Sequence, residues 1–251
     1  MSAATATETL RVGFPLYQGS TLLDFAGATQ VFAFTPGFEP VWLAPTCDPV
    51  ETTEKVRVLP TATFADAGRI DILFVPGGGD AVATVMRDPT YVDFVRDKGA
   101  TAKMAGSVCT GAFIAAAAGL FDGVEATTYW CQRENLALFP HLRVSAGYPR
   151  WVVHGNRFSG GGISSSIDLA LALVSFLSGP SQSMSTQLAV QYAPGPPFHS
   201  GDPSEAPPEI TAALLAQDQE FIDTINRAVL EVIGRPASYR PSAYPSTPAT
   251  G

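Results

Sequence analysis

The chain has 251 residues, of which 46% are hydrophobic, and a formal net charge of −8. This length and apolar content fit one large α/β domain or two small domains with an ample core. The acidic balance, with no basic stripe in the sequence, argues against nucleic acid as a partner because phosphate binding requires a basic surface. We attribute the negative charge to solubility.

Cysteine usage and the N-terminus indicate the compartment. The widely spaced Cys47, Cys109 and Cys131 form neither a disulfide framework nor a CxxC metal pair. The first residues lack the basic segment and apolar core of a signal peptide, and no apolar run is long enough to span a bilayer. We therefore expect a cytoplasmic protein without a bound metal and without membrane contact.

The first half of the chain alternates between buried strands and helices. Apolar runs predict strands over 10–15, 41–44, 56–59, 70–75 and 103–108. We expect helices over 22–34, 81–86 and 89–98, and an Ala-rich helix that follows Cys109 and ends near Leu120.

The second half adds further strands and ends in helices. Strands are predicted over 126–130, 143–146 and 151–153, and helices over 167–177 and 182–192. Residues 194–208 are rich in Pro and Gly and predict a surface loop. Apolar residues at helical spacing predict an amphipathic helix or helix pair over 209–233.

These elements predict three parts of the chain. Residues 8–200 form an α/β domain with a mostly parallel sheet, residues 209–234 a C-terminal helical extension, and residues 235–251 a disordered tail. In such sheets the functional crevice lies at the carboxyl ends of the strands. Asp24, the glycine run at 77–79 and Cys109 all follow predicted strands and should meet there.

Cys109 occupies the most informative position. In KMAGSVCTGAFIAAAAG it follows a short apolar strand and precedes a small-residue turn and a helix. This is the arrangement of a nucleophile elbow, in which the N-terminus of the helix favours a thiolate over a thiol. The alternative is that the cysteine is only a small buried hydrophobe, which is our expectation for Cys47 and Cys131.

The segments GFPLYQGSTLLDFAGATQVF, DILFVPGGG, GSVCTGAFIAAAAGLF, ATTYW and FSGGGISSSIDLALALV resemble, in this order, the DJ-1/PfpI superfamily, and within it the isonitrile (isocyanide) hydratase group. The resemblance spans residues 12–198. It implies a flavodoxin-like sandwich that forms a homodimer. It also implies hydration of an organic isonitrile, a small molecule, to an N-substituted formamide without a metal or organic cofactor.

By similarity the nucleophile is Cys109, the neighbouring acid Asp24 and the supporting hydroxyl that of Thr110. The chemistry suits these residues, because a thiolate attacks the electrophilic isonitrile carbon and a carboxyl group of raised pKa can then donate a proton and activate water. Asp24 can alternatively cap its helix. The backbones of Gly78 and Gly79 are candidates for substrate binding; they can equally form only a tight turn.

One departure from the superfamily concerns the residue before the tryptophan in ATTYW. Many members place a histidine there, and this chain has Tyr129. We expect Tyr129 to line the pocket and His141, His154 and His199 to lie on the surface. A Cys-His dyad of protease or amidotransferase type is therefore poorly supported, whereas a mechanism based on Cys109 and Asp24 is unaffected.

Other functions on the same fold remain open at this point. A redox or stress sensor would oxidise an accessible Cys109 to a sulfinic acid. A glyoxalase-like enzyme is a further alternative, because fold alone does not define chemistry. A transcription regulator would need a helix-turn-helix region, for which the acidic to neutral C-terminal part offers no basic domain.

Overall fold

The structure, a computed structural model, describes residues 9–234; the predicted tail from residue 235 onward lies outside the described residues. Eleven strands are present in this part of the chain. They are β1 (Leu10–Pro15), β2 (Phe38–Ala44), β3 (Val50–Glu51), β4 (Arg57–Val58), β5 (Ala62–Thr63), β6 (Ile72–Val75), β7 (Met104–Ser107), β8 (Glu125–Ala126), β9 (Arg143–Val144), β10 (Trp151–His154) and β11 (Arg157–Gly160).

The same residues form nine α-helices and one 3-10 turn. The helices are α1 (Leu22–Ala33), α2 (Ala81–Val85), α3 (Pro89–Thr101), α4 (Gly111–Ala117), α5 (Arg133–Leu136), α6 (Ser165–Ser178), α7 (Pro180–Ala189), α8 (Pro208–Gln217) and α9 (Gln219–Val232), and the 3-10 turn spans Trp130–Gln132.

A seven-stranded sheet forms the centre of the fold, in the order β10-β11-β7-β6-β1-β2-β5. All pairs in it are parallel except the edge pair β10–β11. Two short pairs lie outside this sheet, an antiparallel β3–β4 hairpin and a parallel β8–β9 pair. The predicted α/β fold with a mostly parallel sheet is confirmed, and C-terminal helices follow it.

Helices cover both faces of the sheet, so its central strands are apolar on both sides. In β6, Ile72 and Phe74 join one hydrophobic cluster, which contains residues of α1 and α6. Leu73 and Val75 join the other cluster, which contains residues of α2, α3, α4 and α9. This burial on both faces explains why the four residues of β6, ILFV, are all apolar.

The C-terminal extension is a helix pair, one of the two arrangements predicted. Its second helix, α9, buries Ile225 and Val229 in the cluster that contains α4. Asn226 donates a hydrogen bond to Asn135 Oδ1 at 2.8 Å, and Asn135 donates one to the Ile222 carbonyl at 2.8 Å. The extension therefore packs on the α/β domain through both apolar and polar contacts.

Two predicted strands and one unpredicted strand are the main differences from the structure. The strand predicted over 126–130 is wrong beyond residue 126, because Thr127 N–H bonds to the Ser159 side chain instead of a strand and Trp130 begins the 3-10 turn. The strand predicted over 56–59 is only β4, outside the main sheet. The central strand β11 was not predicted, because RFSG has one large apolar residue and no alternation.

The sheet is closest packed between β7 and β11. A Cβ atom on Gly106 would lie 1.8 Å from the backbone oxygen of Phe158, so only glycine fits at this position of β7. We predict that Gly106→Ala destabilises the protein by about 3 kcal/mol, since overpacking forces backbone shifts. Gly195→Ala is the control, because nothing lies within 4 Å of its Cβ position. Urea unfolding followed by circular dichroism measures both; equal losses would contradict this packing.

Candidate active site

Cys109 lies at a strained elbow between β7 and α4. Its φ of +54° is in the left-handed region, which costs a non-glycine residue about 1–3 kcal/mol. Several hydrogen bonds keep the Cys109 backbone in this conformation. The Cys109 N–H donates to the carbonyls of Gly160 at 3.1 Å and Gly161 at 2.8 Å, and the Thr128 hydroxyl donates to the Cys109 carbonyl at 2.9 Å. The sulfur is therefore presented by a turn that its neighbours define.

The register of the sheet brings the glycine run beside this elbow. Val75 and Ser107 are paired at the ends of β6 and β7, and the Val108 N–H donates to the Val75 carbonyl at 3.0 Å. Residue 77 then packs against the elbow. A Cβ on Gly77 would lie 2.7 Å from the backbone nitrogen and the hydroxyl oxygen of Thr110, so only glycine fits.

Asp24 lies fully buried in the first turn of α1. Its Oδ2 accepts a hydrogen bond from the Gly77 N–H at 2.8 Å, while its Oδ1 has no hydrogen-bond partner. The alternative that Asp24 caps its helix is wrong, because the N-cap is Thr21. The side chain therefore faces the glycine run and the elbow.

Burial raises the pKa of Asp24 from 3.8 to about 8. The Gly77 N–H opposes this shift, the negative charge of Glu54 adds to it, and a hydrogen-bonding interaction with the Cys109 thiol partly offsets it. Desolvation outweighs the hydrogen bond from Gly77, because one N–H cannot replace the water that a carboxylate loses on burial. Asp24 therefore retains its proton near neutral pH and is an acid close to the thiol.

The pKa of the Cys109 thiol is also raised, well above its ordinary value. Burial is the largest cause and the Asp24 carboxyl adds to it, while the backbone and hydroxyl of Thr110 lower it. The expectation that the helix N-terminus favours the thiolate is therefore wrong on balance. The helix α4 has only 7 residues, and its contribution does not outweigh desolvation.

Thr110 binds the glycine run. Its hydroxyl donates to the Gly78 carbonyl at 2.8 Å and accepts from the Gly78 N–H at 3.1 Å. Both polar backbone groups of Gly78 are thus engaged by one side chain. Gly79 lies apart from this pairing, since the nearest atom to its Cβ position is a Thr53 methyl at 3.8 Å.

Tyr17 belongs to the site and was not identified from the sequence. It is buried, and its hydroxyl donates to the Pro76 carbonyl at 3.0 Å, next to Gly77. Burial raises the pKa of Tyr17 well above its ordinary value, and Asp24 and Cys109 raise it further. The available signal was an aromatic residue shortly after the first predicted strand.

A large cavity of about 1250 Å³ adjoins the elbow. Thr128 and Gly161, which bond to the Cys109 backbone, form part of its wall, as does the half-buried Tyr129. Cys109 itself is not in the wall, and 5% of its surface is exposed. Most of the wall is apolar or aromatic, including Leu23, Trp130, Tyr148, Ile163, Ile167 and Phe198.

None of the three histidines shifts the pKa of Cys109, although His199 lies in the wall of the adjoining cavity. His141, His154 and His199 are all exposed, as expected. The other titratable side chains that raise the pKa of Cys109 are those of Asp24 and Cys131. The arrangement is therefore a cysteine with a carboxylic acid.

Within the range 9–234, no group of three or more His, Cys, Asp and Glu side chains lies close enough together to hold a metal ion. No helix in it is both long and apolar enough to cross a bilayer.

Comparison with known proteins connects this site to characterised relatives. The chain is 38% identical over 198 residues to an isonitrile hydratase from Pseudomonas putida, which covers 79% of this chain and 85% of the relative. It is 28% identical to the HTH-type transcriptional regulator GbdR from Pseudomonas aeruginosa, but spans 45% of that protein.

A solved structure agrees with these relationships. A THiJ/PfpI family protein from Pseudomonas syringae superposes with a TM-score of 0.84 and 32% sequence identity, covering 89% of this chain and 91% of that one. The DJ-1/PfpI family matches residues 10–175. The matched residues include the strained elbow at Cys109, and the chain belongs to the DJ-1/PfpI family.

Proposed function

We propose that this protein is an isonitrile hydratase, which adds water to R–N≡C and yields R–NH–CHO. The observation that carries the proposal is the buried, protonated Asp24 next to the Cys109 thiol at the elbow. Similarity to the Pseudomonas putida isonitrile hydratase supports the same reaction. The substrate is a small molecule.

The first half of the reaction joins sulfur to carbon. The Cys109 sulfur attacks the isonitrile carbon as a thiolate, and the Asp24 carboxyl delivers a proton to that carbon, which gives a thioimidate R–N=CH–S–Cys109. A thiol next to a carboxylate is equivalent, because the carboxylate takes the thiol proton and passes it on. The active pair thus holds one proton in total.

The second half consumes water. The Asp24 carboxylate removes a proton from a water molecule that attacks the thioimidate carbon and passes this proton to the nitrogen; the hydroxyl proton of the adduct returns to Asp24 when the adduct collapses. Collapse of the tetrahedral adduct breaks the carbon–sulfur bond and releases the formamide. The pair regains one proton, so the cycle closes without an oxidant, reductant or metal.

The pocket fits an apolar R group. Aromatic and aliphatic side chains form much of the wall of the cavity beside the elbow, together with the charged Arg150, Asp168, Asp202 and Glu205, and Tyr129 and Gly162 are neighbours in this wall. Gly78 remains a candidate to contact the substrate through its backbone, with Thr110 as its support. Gly79 has less support, because it lies away from the elbow.

The sensor and glyoxalase-like alternatives have less support. A redox sensor depends on an exposed thiol of low pKa, and burial raises the pKa of Cys109. A glyoxalase-like reaction lacks a counterpart among the relatives described above.

We also propose that two copies of this chain associate. Three large apolar side chains, Phe176, Met184 and Leu188, are more than half exposed on α6 and α7. Phe34 is similarly exposed at the end of α1, which contacts α7 through the Thr35 and Thr186 hydroxyls at 3.0 Å. An apolar patch of this kind is typical of a protein–protein interface.

The reaction predicts which single substitutions abolish turnover. Wild-type protein should convert cyclohexyl isonitrile to the formamide with many turnovers per active site. Cys109→Ala should form none, and Asp24→Asn should lose at least about 100-fold because general acid–base catalysis contributes this much. Gas chromatography of the formamide measures all three, and Cys47→Ala is the matched control. If the wild-type protein forms no formamide from any of several isonitriles, the proposed function is wrong.

The raised pKa of Asp24 predicts the pH dependence. Near neutral pH the pair holds two protons, and it loses one as the pH rises through about 8. Activity should therefore rise with pH across this region, with a midpoint that belongs to the pair. A pH profile of kcat/KM checks this; a flat profile between pH 6 and 9 would contradict it.

Burying Asp24 also predicts a cost in stability. Its folded pKa of about 8 exceeds the unfolded value of 3.8, so the folded state binds the extra proton and stability falls as the pH rises between these values. In Asp24→Asn this loss is absent. The melting temperature of the variant relative to wild type should rise steadily from pH 5 to pH 8. A constant difference would show that the carboxyl is ionised in both states.

A further inference from the structure

The β3–β4 hairpin is hydrogen-bonded to the loop before α1, although the two are about 30 residues apart in sequence. The β3–β4 hairpin covers residues 50–58. The Gly19 N–H donates to the Glu51 carbonyl at 2.8 Å, and the Thr53 N–H donates to the Ser20 carbonyl at 3.2 Å. The Gln18 side chain accepts from the Glu51 N–H at 2.9 Å. The hairpin and the start of α1 therefore form one unit.

The tip of this hairpin places Glu54 at the N-terminus of α1. Its Oε2 accepts a hydrogen bond from the Leu22 N–H at 2.9 Å, two residues before Asp24. The N-cap residue Thr21 makes no side-chain capping bond. A carboxylate from outside the helix thus satisfies a backbone donor that the local sequence leaves open.

This position has an electrostatic consequence for Asp24. The N-terminus of a helix carries a partial positive charge, which stabilises a carboxylate in the first turn and would draw the proton off Asp24. A negative charge at the same end cancels this effect. Burial raises the pKa of Glu54, but bonds from the Leu22 N–H, its own N–H and the Thr52 and Thr53 side chains outweigh it, so the pKa of Glu54 is lowered and its charge is kept.

Three titratable groups act on the Asp24 carboxyl from the elements packed around it. Glu54 approaches from the hairpin, Cys109 from the elbow and Tyr17 from the end of β1. The Tyr17 hydroxyl and the Cys109 thiol are neutral near pH 7, since the pKa of each is raised well above its ordinary value. Glu54 is the member of this set that carries a full charge.

We propose that Glu54 is a positioning residue that keeps the proton on Asp24 and so sets the pH at which the Asp24–Cys109 pair loses one proton and becomes active. The role of that proton in catalysis rests on the proposed hydration. The electrostatic part of the proposal rests on geometry. The Glu54 carboxylate oxygen lies 2.9 Å from the Leu22 nitrogen, at the N-terminus of the helix that contains Asp24.

Glu54→Gln tests the charge while retaining an oxygen for the Leu22 N–H. Glu51→Gln is the matched control, because Glu51 lies on the same hairpin but directs its carboxylate to Lys55 and Arg57 at 3.5 and 3.2 Å. In Glu54→Gln the midpoint of the kcat/KM profile should move to lower pH by about half a unit or more, as expected for loss of a nearby like charge. The control should not move it.

A second measurement is independent of isonitrile turnover. Alkylation of Cys109 by iodoacetamide, followed by mass spectrometry of its peptide across pH 6–10, reports thiolate formation. Glu54→Gln should shift this curve to higher pH, because Asp24 then ionises at lower pH and its negative charge disfavours the thiolate. In an Asp24→Asn background the same substitution should have no effect, which shows that Glu54 acts through Asp24.

The outcomes separate the two proposals. Superimposable alkylation curves for wild type and Glu54→Gln would overturn the role of Glu54, whatever the hydratase assay shows. An equal shift in Glu51→Gln, or a shift that persists without Asp24, would overturn it as well. If the curves shift as expected while no isonitrile is hydrated, the role of Glu54 stands and the proposed function fails. Circular dichroism confirms that each variant folds.

Discussion

The site depends on one constraint, the removal of the Asp24 carboxyl from water with a single backbone hydrogen bond to replace it. That deficit raises the pKa of Asp24 to about 8 and leaves an acid where most aspartates are anions. The surrounding residues follow from the same constraint. Residue 77 must be glycine so that its N–H reaches Oδ2 without a side chain striking Thr110, and Thr110 in turn holds the backbone of Gly78.

The parallel sheet makes this arrangement possible. Strands that run in the same direction bring their carboxyl ends to one edge, so three segments far apart in sequence converge there. The acid comes from the helix after β1, the glycine run from the end of β6 and the sulfur from the end of β7. Each group is carried by a different element, and each element is fixed by the core beneath it.

Much of this was predictable because it depends on local pattern. Continuous apolar runs defined β1, β6 and β7, and small residues after them identified the elbow at Cys109. The rest depends on tertiary contacts. β11 is buried by its neighbours although RFSG has no strand pattern, and the pKa of the thiol is raised by burial that no local motif encodes. Tyr17 and Glu54 reach the site through a turn and a hairpin whose docking is visible only in three dimensions.

The bond between Asn226 and Asn135 links the last helix to the wall of the pocket. Asn135 also donates to the Gln132 side chain at 2.8 Å, and the Gln132 N–H donates to the carbonyl of Tyr129 at 2.9 Å. This chain of contacts never touches the sulfur or its acid. Substitutions in α9 can therefore alter the shape of this cavity from a distance, through a relay of amide side chains, while the turn that carries Cys109 keeps its own hydrogen bonds.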